Sequence, residues 1–287
     1  MRVKSDLIVT RFRIYPTHLF NISEYSMDLG IKNRVALVMS AGGGLGSAIA
    51  LALAREGATV AVSDQNREAL ENTVSRIRAA GGEAYGVQAD LSNLESITAL
   101  VADVRSMLGN PQILINNSGG PPPSPATGVA PEQWRNQFDS MVLSLMHLTD
   151  LLLPAMKQKG WGRIVTSTSS GVVAPIPNLG MSNALRLALV GWSKTLANEV
   201  AADGICVNVV LPGRIATDRI RSLDEARASR EGKTYEEVVA ASTASIPVRR
   251  YGKPEEYADA VAFLASERAA FITGSVVRVD GGMISSI

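Results

Sequence analysis

Val35-Ala-Leu-Val-Met-Ser-Ala-Gly-Gly-Gly-Leu-Gly-Ser-Ala-Ile-Ala-Leu-Ala-Leu-Ala-Arg-Glu56 is the stretch whose reading decides the fold. Val35 to Met39 is a short unbroken apolar run, the signal of a strand covered on both faces. Ser47 to Glu56 is rich in Ala and Leu and reads as helix, with Gly57 where a helix C-cap belongs. Between them lies Ser40-Ala-Gly-Gly-Gly-Leu-Gly46. Glycines at a strand-to-helix turn let the backbone approach a pyrophosphate and aim amide N–H groups at it from the helix N-terminus. Many tight turns are Gly-rich, so the loop takes its meaning from the strand before it and the helix after it.

The alternation continues outward. Apolar runs predict strands at 59–63, 83–88, 112–116, 162–167, 205–211 and 275–279. Helical spacing covers 67–80, 94–108, 131–159, 182–202 and 255–265, with Pro154 ending or kinking the third of these. Such alternation implies an α/β fold with a parallel sheet and right-handed crossovers; the expected arrangement is a Rossmann-type doubly wound sheet of seven strands, order 3-2-1-4-5-6-7. Residues 214–246 are polar and irregular with helical stretches, and are expected to form a lid over a substrate pocket. Pro121 to Pro125 is a stiff loop.

Asp64 ends the second predicted strand, eighteen residues after Gly46. A carboxylate there accepts hydrogen bonds from both ribose hydroxyls of an adenosine and repels a 2′-phosphate, which favours NAD over NADP. Arg67, nearby, keeps NADP open.

The bulk numbers exclude several classes. Among 287 residues, 28 are Lys or Arg and 27 Asp or Glu, a net charge of +1 that offers nothing general to nucleic acid or an anionic membrane. No apolar stretch has the length of a membrane span. The single cysteine, Cys206, sits in an apolar run and reads as core; it provides no disulfide framework, and a reducing cytoplasm is the expected location. His18 and His147 have no spacing suited to a metal, and no metal site is expected. Residues 1–26 differ in composition from the chain beyond Met27 and read as an N-terminal extension ahead of one dinucleotide-binding domain, 27–287.

From about residue 30 to the end the sequence resembles the short-chain dehydrogenase/reductase family, in particular its 3-oxoacyl-carrier-protein reductases. The Gly-rich loop is similar to the family's Thr-Gly-x-x-x-Gly-x-Gly, with Met39 and Ser40 at the first two places. Ala89-Asp90-Leu91 resembles its adenine contact, and Asn116-Asn117-Ser118-Gly119 its turn after the fourth strand. Leu211-Pro212-Gly213 with Thr217 resembles the nicotinamide-side loop, and Val279-Asp280-Gly281-Gly282 the C-terminal signature. The resemblance implies cofactor contacts at Ser40, Gly42, Gly44, Leu45, Gly46, Asp64, Asp90, Leu91, Asn117, Gly119, Arg186, Pro212, Gly213 and Thr217. It also implies a homotetramer or dimer, with the helices at 131–159 and 180–202 across an interface.

The catalytic positions depart from the pattern. The family's Tyr-x-x-x-Lys, whose tyrosine protonates the carbonyl oxygen and whose lysine lowers the tyrosine pKa and binds ribose, falls on Ser182-Asn-Ala-Leu-Arg186. No tyrosine or lysine lies between Arg163 and Ser193, so no shift of register restores the motif. The family's serine, thirteen residues before its tyrosine, is kept at Ser169; its asparagine aligns with Met141. Ser169, Ser182 and Arg186 are thus the expected catalytic residues. An aliphatic hydroxyl is a far poorer acid than a phenol, and Arg186 holds fixed positive charge without shuttling protons. The missing proton comes from water or from a group in 214–246, Tyr235 being one candidate.

Three functions fit these residues. The first is an NAD(P)-dependent oxidoreductase interconverting a small-molecule carbonyl and alcohol with a modified relay. The second is a nucleotide-binding protein without redox turnover. The third is elimination or retro-aldol chemistry on the same scaffold.

Overall fold

The computed structural model describes residues 27–287; the expected N-terminal extension and His18 lie outside them. Seven strands form one parallel sheet: β1 (Val35–Val38), β2 (Thr59–Asp64), β3 (Glu83–Gln88), β4 (Ile113–Asn116), β5 (Gly162–Ser167), β6 (Ile205–Pro212) and β7 (Val276–Val279). Their spatial order is β3-β2-β1-β4-β5-β6-β7, the order expected. The fully buried runs of β1, β4 and β5 are the strands covered by helices on both faces. β3 alternates between buried and exposed because it closes the sheet at one edge.

Helices α1 (Gly44–Arg55), α2 (Arg67–Ala79) and α9 (Pro254–Leu264) accompany one face, where Ile49 and Leu53 share a core with Tyr257 and Val261. On the other, α3 (Leu94–Leu108), α5 (Ser144–Lys159) and α6 (Gly180–Val200) bury Ile97, Leu148, Leu152 and Leu196 against Leu37, Leu114 and Val207. Each such side chain contributes about 1.5–3 kcal/mol by leaving water. Cys206 is buried in β6, as its apolar setting predicts.

The sheet grows one way from β1 through β2 to β3, then restarts at β4 on the other side of β1. The crevice beyond the carboxyl ends of β1 and β4 is where such a sheet accommodates ligands. Two features bear on that end. The long helix expected at 131–159 is α4 (Pro131–Phe138) and α5, joined by one wider π turn, Asp139–Leu143. Pro154 lies inside α5 rather than ending it. The irregular segment 214–246 holds two well-formed helices, α7 (Asp218–Glu231) and α8 (Tyr235–Ala244). Their apolar patterning is weak, but Thr217 caps α7, and Thr234 with Glu237 forms a reciprocal capping box on α8.

Candidate active site

The Gly-rich turn is shaped by close approach. A methyl group at Gly46 would lie 2.2 Å from the Ser40 carbonyl oxygen, so only glycine lets α1 start against its own strand. Ser40 adopts a left-handed φ of 47°, uncommon for a residue with a side chain. Its carbonyl, and that of Met39, accept from the Asn117 side-chain amide at 3.2 Å each, which ties the end of β4 to the turn. Gly43 caps α1 with no side chain, and no acidic residue occupies the first turn. The positive helix end therefore faces outward without a protein anion to answer it. Gly43 and Gly119 both border open space.

That space is a cavity of about 750 Å³ over the carboxyl ends of β1, β4, β5 and β6. Ser40, Gly44 and Leu45 line it from the turn, Asn117 and Gly119 from the end of β4, and Pro212, Gly213 and Thr217 from the far side. Ser169, Ser182 and Arg186 line it too, so the three expected catalytic residues share one chamber with most of the expected cofactor contacts. Five expected contacts do not line the chamber. Gly42, Gly46 and Asp64 build the turn and its flank: Asp64 accepts from the Gly42 and Asn66 amides at 2.9 Å each. Asp90 and Leu91 stand in the loop after β3, where Asp90 accepts from the Ser92 amide.

Arg186 is 8% exposed. Its guanidinium donates to the carbonyls of Ser118 (3.2 Å), Gly119 (3.1 Å) and Ser167 (3.4 Å), bridging the ends of β4 and β5. No carboxylate pairs with it among the described residues. Burial pulls its pKa down to about 10, opposed by the nearby Tyr257 and reinforced by the charge of Arg219. It remains protonated at neutral pH.

Ser169 caps a short 3-10 turn, its Oγ accepting from the Gly171 amide at 3.0 Å. Ser182, in the first turn of α6, has no hydrogen-bond partner among the described residues. Asn183 beside it is structural: its amide donates to the Ile176 carbonyl at 2.9 Å and pins the loop before α6. Met141, at the family's asparagine position, lies in the π turn and is buried in an apolar cluster with Leu185 and Leu189. The polar position has become a packing position.

Tyr235 is not brought to the chamber; its ring sits beneath Arg221, where α7 and α8 meet. His147 is also remote, hydrogen-bonded to Thr98 at 3.1 Å. Among the described residues, the chamber lining contains no Tyr, Lys or His, and its ionisable groups are five arginines with Asp218 and Asp224. Sequence reasoning missed three features. The Tyr257 hydroxyl meets Ser167 Oγ at 2.8 Å behind the β5 end, and burial raises its pKa well above the phenol range. Ser118 Oγ is buried on the chamber wall with no partner. Arg219 reaches from α7 to the Pro121 carbonyl, and its place two residues after Thr217 was the available signal. No group of three or more potential metal-ligating side chains occurs among the described residues, and none of their helices is long and apolar enough to cross a membrane.

A model of the family described as enoyl-(acyl carrier protein) reductase matches residues 40–284. The 3-oxoacyl-[acyl-carrier-protein] reductase of Pseudomonas aeruginosa is 36% identical over 260 residues, covering 90% of this chain and 100% of the relative. L-sorbose reductase from Gluconobacter frateurii, solved with NADPH and L-sorbose, is similar with a TM-score of 0.86 and 32% identity, over 91% of this chain and 100% of that one. YwfH, an NADPH-dependent reductase involved in bacilysin biosynthesis, gives 0.84 at 29% identity, over 88% and 99%. Strand order, the Gly-rich turn and these matches agree along nearly the whole described chain, and the protein belongs to the short-chain dehydrogenase/reductase family of oxidoreductases.

Proposed function

We propose that the protein interconverts a small-molecule carbonyl and its alcohol with NAD, using a Ser/Arg pair where its family uses Tyr/Lys. One observation carries the reading: the outward-facing start of α1, Arg186 and the Ser169 and Ser182 hydroxyls line a single chamber. The chamber fits a dinucleotide, since Gly43 and Gly119 leave room at its wall and the uncapped α1 offers amides to an anion. When bound, the dinucleotide supplies or takes up the hydride equivalent.

The chain's own residues bind and orient. The α1 start holds the pyrophosphate, and the Asp64 carboxylate accepts from the adenosine ribose and repels a 2′-phosphate. NAD is the choice of this chain on that ground, although the two solved relatives are described with NADPH. Arg186 holds the nicotinamide ribose and gives fixed positive charge. Ser169 and Ser182 donate to the substrate oxygen, and the proton passes through Ser182 from water in the open chamber. Replacing a phenol by this route costs a turnover factor on the order of 10²–10⁴. Positioning supplies much of the remaining acceleration. Phe138, Leu143 and Leu187, exposed apolar residues on α4, the π turn and α6, suit the expected contact between copies of the chain.

Titration of NADH and NADPH by nucleotide fluorescence tests the cofactor assignment; NADH is expected to bind at least about tenfold tighter. Equal affinities, or a preference for NADPH, would remove Asp64 from its role. A second reading, binding without turnover, draws on the lack of any phenol or ammonium among the described residues that line the chamber. Slow NADH oxidation with a panel of ketones supports the first reading, and cofactor binding with no oxidation supports the second.

A further inference from the structure

The chamber is far more basic than the chain. Arg186, Arg214, Arg219, Arg227 and Arg230 line it against Asp218 and Asp224, in a protein whose net charge is +1. Two of the five are neutralised locally, Arg214 by Asp224 and Arg227 by Glu231. Arg186, Arg219 and Arg230 are not: none has a carboxylate within salt-bridge distance among the described residues. The first two also converge. A methyl group at Gly120 would lie 3.2 Å from a terminal nitrogen of Arg219 and 3.6 Å from one of Arg186. The two guanidinium groups thus flank one point of the loop after β4, within reach of a single bridging anion.

Each group is held in place. Arg186 is fixed by its three carbonyls, and Arg219 by one bond to Pro121 at 2.6 Å. A guanidinium has five N–H donors, so Arg219 keeps most of its own unclaimed. Burial, partial at Arg219, weakens the hold of both on their protons, and the charge of Arg219 weakens that of Arg186 further. Two like charges brought together without a counter-ion are relieved by an anionic ligand.

We propose that Arg219, beside the fixed positive charge of Arg186, grips a carboxylate carried by the substrate, so that the protein acts on oxo acids or hydroxy acids rather than neutral carbonyl compounds. This rests on the oxidoreductase reading above. A substrate carboxylate is preferred to the cofactor pyrophosphate as occupant. The pyrophosphate is already answered by the α1 start, whereas Arg219 bridges the lid helix and the Pro-rich loop, the two segments that close the other side of the chamber.

The test is calorimetric titration of the full chain, first with NADH. The NADH-saturated protein is then titrated with 2-oxobutanoate and 4-oxopentanoate, and with their methyl esters. At least one acid is expected to bind at least about thirtyfold tighter than its ester, the effect of one charge-assisted anchor. Arg219→Gln is expected to reduce that preference at least about tenfold while leaving NADH affinity within about threefold. Gly120→Ala, which keeps every charge but puts a methyl between the two guanidiniums, is expected to reduce it as well. Esters that bind as well as acids overturn the proposal, and so does an Arg219→Gln variant that loses NADH affinity with the acid preference intact. Failure of NADH itself to bind sinks the cofactor reading instead. The acid and ester titrations on the free chain then decide the clamp by the same criterion.

Discussion

Replacing Arg186 by Met separates a structural strut from a functional charge. The change removes three hydrogen bonds to the Ser118, Gly119 and Ser167 carbonyls, all long at 3.1–3.4 Å. At about 1–1.5 kcal/mol each they total about 3–4 kcal/mol. Against this, the wild-type protein bears the burden of a buried cation. Its pKa falls from 12.5 to about 10, which corresponds to about 3 kcal/mol against the charged form. Methionine keeps the apolar stem and lifts that burden. The two effects nearly cancel, so Arg186→Met should cost at most about 2 kcal/mol, or about 4–8 °C in Tm for a domain this size. NADH affinity, by contrast, should fall about 30-fold or more, as for a lost charge-assisted contact. Thermal melts at pH 7.5 with and without NADH, together with nucleotide fluorescence titration, measure both. Because the folded-state pKa is depressed for a base, the penalty is constant below pH 10 and lifts only as the pH rises from 10 toward 12.5. The gap between wild-type and variant melts should therefore be flat from pH 6 to 9. A Tm loss well beyond 10 °C with unchanged NADH affinity would refute the reasoning and make Arg186 a strut.

Four further outcomes are expected. Asp64→Ala should narrow the preference for NADH over NADPH by about tenfold, read by fluorescence titration, because the repulsion of a 2′-phosphate is gone. Gly46→Ala should cost at least about 2 kcal/mol in urea melts, since its methyl meets backbone that cannot retreat. Tyr257→Phe should cost about 1–2 kcal/mol in the same assay through the lost bond to Ser167. Glu256, whose carboxyl is held down at about 2 by bonds from Arg250 and the Lys253 amide, contributes stability above pH 4.5 that is lost as the pH falls toward 2. Glu256→Gln should flatten melting temperature against pH across that window, most visibly at low salt.

Much of this protein is written locally. The buried strands show as unbroken apolar runs because both their faces are covered, and one short run of glycines identifies the turn because no other residue permits that approach of α1 to Ser40. The departures that the resemblance implies at Ser182, Arg186 and Met141 are legible in the same way, once the family's motif is laid on the chain. Segment 214–246 was less legible. Helices α7 and α8 are amphipathic only weakly, and their stability comes from caps and from contacts such as Arg214 and Tyr251 with Asp224.

The sequence by itself determined the order of elements and the parallel sheet they form, since these depend on hydrophobic period, and its resemblance to a family named many of the groups gathered at the sheet's carboxyl end. Only the tertiary structure decided how those groups meet. It made Met141 a packing residue by placing it among Leu185 and Leu189. It left Tyr235 outside the chamber and brought Arg219 beside Arg186 across the loop at Gly120. Hydrophobic period encodes which face of an element is buried, but the meeting of two charges from helices far apart in the chain is set by how those helices pack, and no local pattern records it.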